Sequence, residues 1–169
     1  MAVTTEIVRS WRSPRTAIRR QLGAGIGEAR ALAYLMAGCG LIFVAQWPRL
    51  SREAHLNPEV PFEALVAGAL QGIILILPLL LYAIAALSHL VALPFGGRGS
   101  WLGARLALFW TLLATAPLFL LHGLVAGFIG PGMAMNATGL LLAVAFIGHW
   151  VLALTEVETG AVEAGGGRA

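Results

Sequence analysis

Two histidines pose the sharpest chemical question in this chain. His89 and His149 each fall four or five residues before the end of a long apolar run, roughly 6–8 Å along a helix axis, so both imidazoles are expected at one depth on neighbouring helices. Paired in this way they would be the axial ligands of a bis-histidine b-type haem. The bland alternative leaves both rings at a polar boundary, hydrogen-bonded to backbone or water beside Trp150. Ser88 precedes His89 but points elsewhere on a helix. Ser88 with His149 lacks both a glycine-flanked serine and an evident oxyanion donor, so no nucleophilic site is expected. The lone Cys39 excludes an internal disulfide and any multi-cysteine metal cluster. Gly23-x-Gly25-x-Gly27 is no nucleotide fingerprint, because no strand precedes it. The expectation is therefore a chain with no catalytic or metal-binding residues and no cofactor, the haem pair His89 and His149 standing as the alternative.

The elements that must position these residues are apolar helices. Hydrophobic residues make up 59% of the chain and charged residues 11%, against roughly 45–50% and 25% in a soluble domain. Four segments approach or exceed the 20 or so residues that cross a hydrocarbon layer of about 30 Å. The expected fold is all-α: a polytopic integral membrane helical bundle of about four spans, at 31–47, 62–93, 101–129 and 135–154. Two of these are overlong and carry a mid-span proline, Pro78 and Pro117, which should kink them; a break at either would give a five-segment description. Gly96-Gly97-Arg98-Gly99-Ser100 joins the second and third spans. Pro48 to Glu63, with two prolines and mixed charges, is expected as a loop outside the bilayer with at most a helical turn from Ser51 to Leu56. Residues 155–169, with Glu156, Glu158, Glu163 and three consecutive glycines, are expected to be a disordered tail.

Residues 1–30 form a basic, amphipathic helical arm. Arg9, Arg12, Arg15, Arg19 and Arg20, with Trp11, suit the surface of an anionic membrane leaflet, and Ser13-Pro14 suits a helix start that runs to about Gly23. The alternative is a solvated arm that only sets topology. All eleven basic residues are Arg and all eight acidic ones are Glu. Counting arginines, only Arg49 and Arg52 fall on the far side when the N-terminus is inside, so both termini are expected to be cytoplasmic. A lipoprotein-like box at Met36-Ala37-Gly38-Cys39 is set aside because the apolar run continues beyond it.

Polar groups are costly within a bilayer. No Glu lies well inside a span, and Arg105 can snorkel from the first turn of the third. Gln71, Ser88, Thr111, Thr115, His122, Asn136 and Thr138 complete the polar set. Small residues recur at four-residue spacing: Ala64, Gly68 and Gly72 in the second span, Gly123 and Gly127 in the third, Gly139 and Ala143 in the fourth. Such faces let helix backbones approach closely, either within the monomer or in a dimer. They place the tightest packing in the outer half of the bundle and leave the half with His89, Arg105 and His149 looser.

Ser88-His89-Leu90, the Gly96–Ser100 turn with Arg105, and Ala114-Thr115-Ala116-Pro117 resemble bacterial members of the Yip family of Ypt/Rab-GTPase-interacting membrane proteins. Trp11 and Pro14 ahead of the first span extend the resemblance over most of the chain. It implies a polytopic, non-enzymatic protein that organises membrane or partner proteins. The acidic-Leu-Tyr-Gly-Pro segment of eukaryotic members is missing, so GTPase binding is not implied. The expected setting is a bacterial inner membrane, with the lipid bilayer and its anionic headgroups as partners, together with other membrane proteins or a second copy; nucleic acid is not among them. An accessory subunit of a respiratory or photosynthetic complex is the runner-up.

Overall fold

The computed structural model describes residues 6–7, 10–11 and 13–165, with side chains to residue 159. Arg9 and Arg12 lie outside the described residues, as does the end of the tail. Helix α1 is Pro14–Gly23, α2 Glu28–Leu56, α3 Phe62–Leu70, α4 Leu77–Ala92, α5 Trp101–Ala114, α6 Ala116–Phe128 and α7 Met133–Gly165. A π-helical turn, Gln71–Ile76, links α3 to α4, and a 3-10 turn, Leu93–Phe95, ends α4. Three stretches, Glu28–Leu56, Phe62–Phe95 and Met133–Thr159, are each long and apolar enough to cross a membrane. The bent pair α5–α6 makes a fourth if counted as one span.

Each proline acts on the backbone in a different way. Pro78 lacks the N–H that would bond Ile74, and its ring crowds that carbonyl; the wider π turn just before it accommodates both effects without breaking the helix. At Pro117 the chain bends by 45° between α5 and α6. Thr115 stabilises that bend by donating its hydroxyl back to the Thr111 carbonyl at 2.8 Å. Pro48 does neither. The expected loop from Pro48 onward is corrected: α2 continues through it to Leu56. A proline inside a helix costs roughly 3 kcal/mol, and the packing of the extended helix on α6 offsets that cost. A Cβ on Gly123 would strike the Ala45 carbonyl, and one on Gly127 would strike Pro48 itself. Arg52 then donates to the Gly127 carbonyl at 3.3 Å, at the C-terminal end of α6.

The matched pairs Gly38 with Leu112, Ala45 with Gly123 and Pro48 with Gly127 show that α2 runs parallel to α5–α6. Tyr82 on Phe109 and His89 on Trp101 set α4 antiparallel to α5. Thr138 with His122, Phe146 with Phe119 and Val157 with Gly103 do the same for α7. At the centre, every residue from Leu106 to Ala116 is buried. Such a stretch, apolar all round, needs cover on every side. Helices α2, α4 and α7 give it three walls, and the N-terminal arm supplies the fourth.

This arrangement corrects two expectations. Burial is most complete in the half with the arm, while the closest backbone approaches, at Gly123 and Gly127, lie in the half away from it. Helix α7 does not end at residue 154: it continues to Gly165, and Glu156, Val157 and Glu158 are buried, so a disordered tail does not begin at 155. The small residues also divide. Gly123 and Gly127 hold close backbone contacts, and a Cβ on Gly139 would come within 3.3 Å of the His122 ring, whereas Ala64, Gly68 and Ala143 are exposed and a Cβ on Gly68 or Gly72 would meet nothing within 4 Å. Replacing Gly127 by Val therefore lowers stability by about 1–3 kcal/mol through overpacking, while Gly68→Val stays within about 0.5 kcal/mol. Thermal unfolding of the two variants in the same detergent measures both.

Candidate functional site

The ionisable and polar groups converge at the arm end of the bundle, where α1, the start of α2, the end of α4, α5 and the last turns of α7 meet. Glu158 is its centre, 5% exposed. One carboxylate oxygen sits 2.8 Å from His89 Nδ1, and the other accepts the Gly99 backbone N–H at 2.9 Å. The Arg98 backbone N–H bonds the Glu158 carbonyl at 3.1 Å. The glycine-rich turn is built for this approach: a Cβ on Gly97 or Gly99 would come within 2.6 and 2.9 Å of the Glu158 carboxylate. Gly96, at φ +86°, adopts the left-handed conformation that ends the preceding 3-10 turn. Ser100 then caps α5, accepting the Gly103 N–H at 3.0 Å.

A second knot ties the arm to the core. Ser10 is fully buried; its hydroxyl lies 2.7 Å from His149 Nε2 and accepts the Trp110 indole N–H at 3.1 Å. Trp11 donates its indole N–H to the Ala114 carbonyl at 3.0 Å. That carbonyl is free because of the Pro117 bend: the Leu118 N–H, its helical partner, bonds Thr115 instead. Arg19 closes the knot on Glu156, with Nε 2.8 Å from Oε1. Arg20 pairs with Glu6 at 3.7 Å, and Arg105 with Glu28 at 2.5 Å; the Arg105 guanidinium also stands over the Tyr82 ring, 5.8 Å from its centroid.

The sequence-derived candidates thus occupy new places. His89 and His149 do not meet. Because His89 sits on Glu158, nine residues beyond His149 on the same helix, the two imidazoles belong to levels on the order of 13 Å apart along α7. Each has its own partner, Glu158 on His89 Nδ1 and Ser10 on His149 Nε2. The expectation of one shared depth is corrected on this geometry. Among the described residues no three His, Cys, Asp or Glu side chains converge as metal ligands. Ser88 bonds the Ala85 carbonyl of its own helix at 2.8 Å, the back-bonding of a lone helical serine. Trp11, Arg19 and Arg20 each make a contact into the bundle while remaining exposed at its surface, and Arg15 is exposed as well.

Sequence reasoning missed Ser10, Glu156 and Glu158. The stripe His149, Ala153, Glu156 and Val157 keeps helical spacing past the expected end of the span and was the available signal. Ser10 carries none, since one serine in an Arg-rich arm has no pattern.

Removing one member of a buried hydrogen-bonded network leaves the others without partners, at a cost of about 1–3 kcal/mol. Glu158→Ala is expected to lose most of that and to make the 96–100 turn a protease cleavage site; limited proteolysis in detergent tests it. Ser10→Ala strands the Trp110 N–H and costs about 1–3 kcal/mol, exposing the arm to the same protease, whereas Ser88→Ala leaves the digestion pattern unchanged.

No protein-family model, curated protein or solved structure matches this chain.

Proposed function

We propose that the chain is a non-enzymatic integral membrane protein that organises its surrounding lipid or partner proteins, in the manner the Yip resemblance implies, in a bacterial inner membrane with both termini cytoplasmic. One observation carries this reading: the buried ionisable groups at the arm end are tied to other parts of the same chain. Glu158 holds a turn and a helix, Glu156 holds the arm, and His149 holds Ser10. Each brace fastens one segment to the next. Ser10 does stand beside a base, His149, but the serine is fully buried and its hydroxyl accepts the Trp110 N–H, so the pair is closed to the substrate that acyl-transfer chemistry requires.

The outward faces suit a bilayer. In the apolar window of Phe62–Phe95 only 6% of residues are buried, and Leu75, Leu79, Leu87 and Val91 are all more than half exposed. The arm end gathers most of the charged groups among the described residues, which supports putting it at the headgroup level of the arginine-rich side. A second reading, an accessory subunit docked in a larger membrane complex, is favoured by the outward stripe Ala64, Gly68 and Gly72. Among the described residues nothing lies within 4 Å of a Cβ on Gly68 or Gly72, and the stripe has the spacing that accepts another helix.

Purification from native membranes in mild detergent, with mass spectrometry and a visible spectrum of the same sample, separates these readings. The expected result is a colourless protein, alone or self-associated. A stoichiometric set of subunits from one complex would transfer the assignment to the accessory role, and a Soret band abolished by His89→Ala would restore haem. Reporter fusions at both ends are expected to report the cytoplasm.

A further inference from the structure

Beneath the arm lies a cavity of about 260 Å³, open at one side and lined by Glu6, Arg20, Gln21, Arg30, Tyr34 and Trp110, with Ala24 and Ile26. Its polar groups are not balanced. Arg20 is paired with Glu6, but Arg30 has no ion pair among the described residues, so two guanidiniums face one carboxylate. Gln21 is 7% exposed, and its buried Oε1 has no hydrogen-bond partner. An unpartnered buried amide oxygen costs about 1–3 kcal/mol, so the site lacks a donor as well as an anion. Arg30 immediately precedes Ala31, where the apolar run of α2 begins. In a bilayer that is the level of the lipid phosphates.

We propose that this cavity is a binding site for the headgroup of one anionic phosphodiester lipid. The phosphate lies against the Arg30 guanidinium and the Tyr34 hydroxyl, and a headgroup hydroxyl donates to Gln21 Oε1. Among the described lining residues the surplus of one positive charge matches a monoanion, and guanidinium is the donor best suited to phosphate. The volume falls just below the roughly 300–1,000 Å³ of pockets that enclose whole small ligands, which fits a headgroup whose acyl chains remain in the bilayer. Because α1 and Glu6 form one wall, the occupant would clamp the arm on the bundle. The inference rests on the membrane-embedded reading above.

The test is native mass spectrometry of the detergent-purified full chain, delipidated and then mixed with phosphatidylglycerol or phosphatidylcholine. Phosphatidylglycerol, with its free hydroxyls and negative charge, is expected to be retained as one bound molecule. Phosphatidylcholine, which has neither the hydroxyls nor the net charge, is not. Arg30→Gln, at an exposed residue with no partner to strand, and Gln21→Leu should each weaken retention roughly tenfold, with Arg30→Lys recovering part of the first loss. Equal retention of the two lipids, or an unchanged Arg30→Gln variant, overturns the site. Displacement by millimolar glycerol phosphate would reassign it to a free phosphoester and overturn the lipid. Release of the protein from membranes by carbonate would instead overturn the membrane reading itself, so the two failures are distinguishable.

Discussion

The structure depends on enclosing α5. From Leu106 to Ala116 every side chain is buried, including Phe109 and Trp110, so this helix cannot face lipid or water and must have neighbours all round. Helices α2, α4 and α7 supply most of that cover. The remaining side falls to the arm, whose Ile18 is fully buried and whose Trp11 and Ser10 bond to α5. An arm that would otherwise be an amphipathic surface element thereby becomes part of the core.

Close approach and polar satisfaction are linked consequences of this enclosure. In the bilayer proposed above there would be little hydrophobic drive between helices, so packing and interhelical hydrogen bonds would have to hold them. Glycines serve both needs. Gly38 admits Leu112, Gly103 admits Val157, and Gly97 and Gly99 admit the Glu158 carboxylate. At Gly99 the missing Cβ and the backbone N–H act together, since the space that lets Glu158 approach is also what lets it accept that N–H. The cost of burying Glu158 is met by donors from a loop and a helix that it thereby fixes in place. The same logic operates at the Pro117 bend. The carbonyl that loses its helical partner is the one that anchors Trp11, so a defect in one span becomes the attachment point of the arm.

Much of the architecture could be read from the chain. The four apolar stretches, the helix at Pro14–Gly23 and a bend near Pro117 follow from periodicity, length and proline chemistry, which are local properties. Pro48 shows where local reasoning fails: a proline with charged neighbours reads as a stop, and only the packing on Gly123 and Gly127, some 75 residues away in the chain, decides otherwise. Glu156 and Glu158 were misplaced for a related reason. Carboxylates past an apolar run read as solvated unless their partners are known, and those partners, Arg19, His89 and Gly99, come from three separate segments. The histidine pair failed on register: equal distance from two span ends does not set equal depth when α7 runs beyond its apolar run.

The glycine stripes show the limit of motif reasoning in its clearest form. Two stripes with the same four-residue spacing have opposite fates: Gly123 and Gly127 are pressed against α2, while Ala64, Gly68 and Gly72 face outward. Spacing makes a helix face capable of close approach, but which helix comes near is set by the rest of the chain. Here α2 lies parallel to α6 and takes the first stripe because it must also cover α5 farther along its length. Helix α3, before the π turn, lies outside that constraint. Its stripe thus keeps a packing capacity that the described residues leave unused, and the second reading of function rests on that surplus.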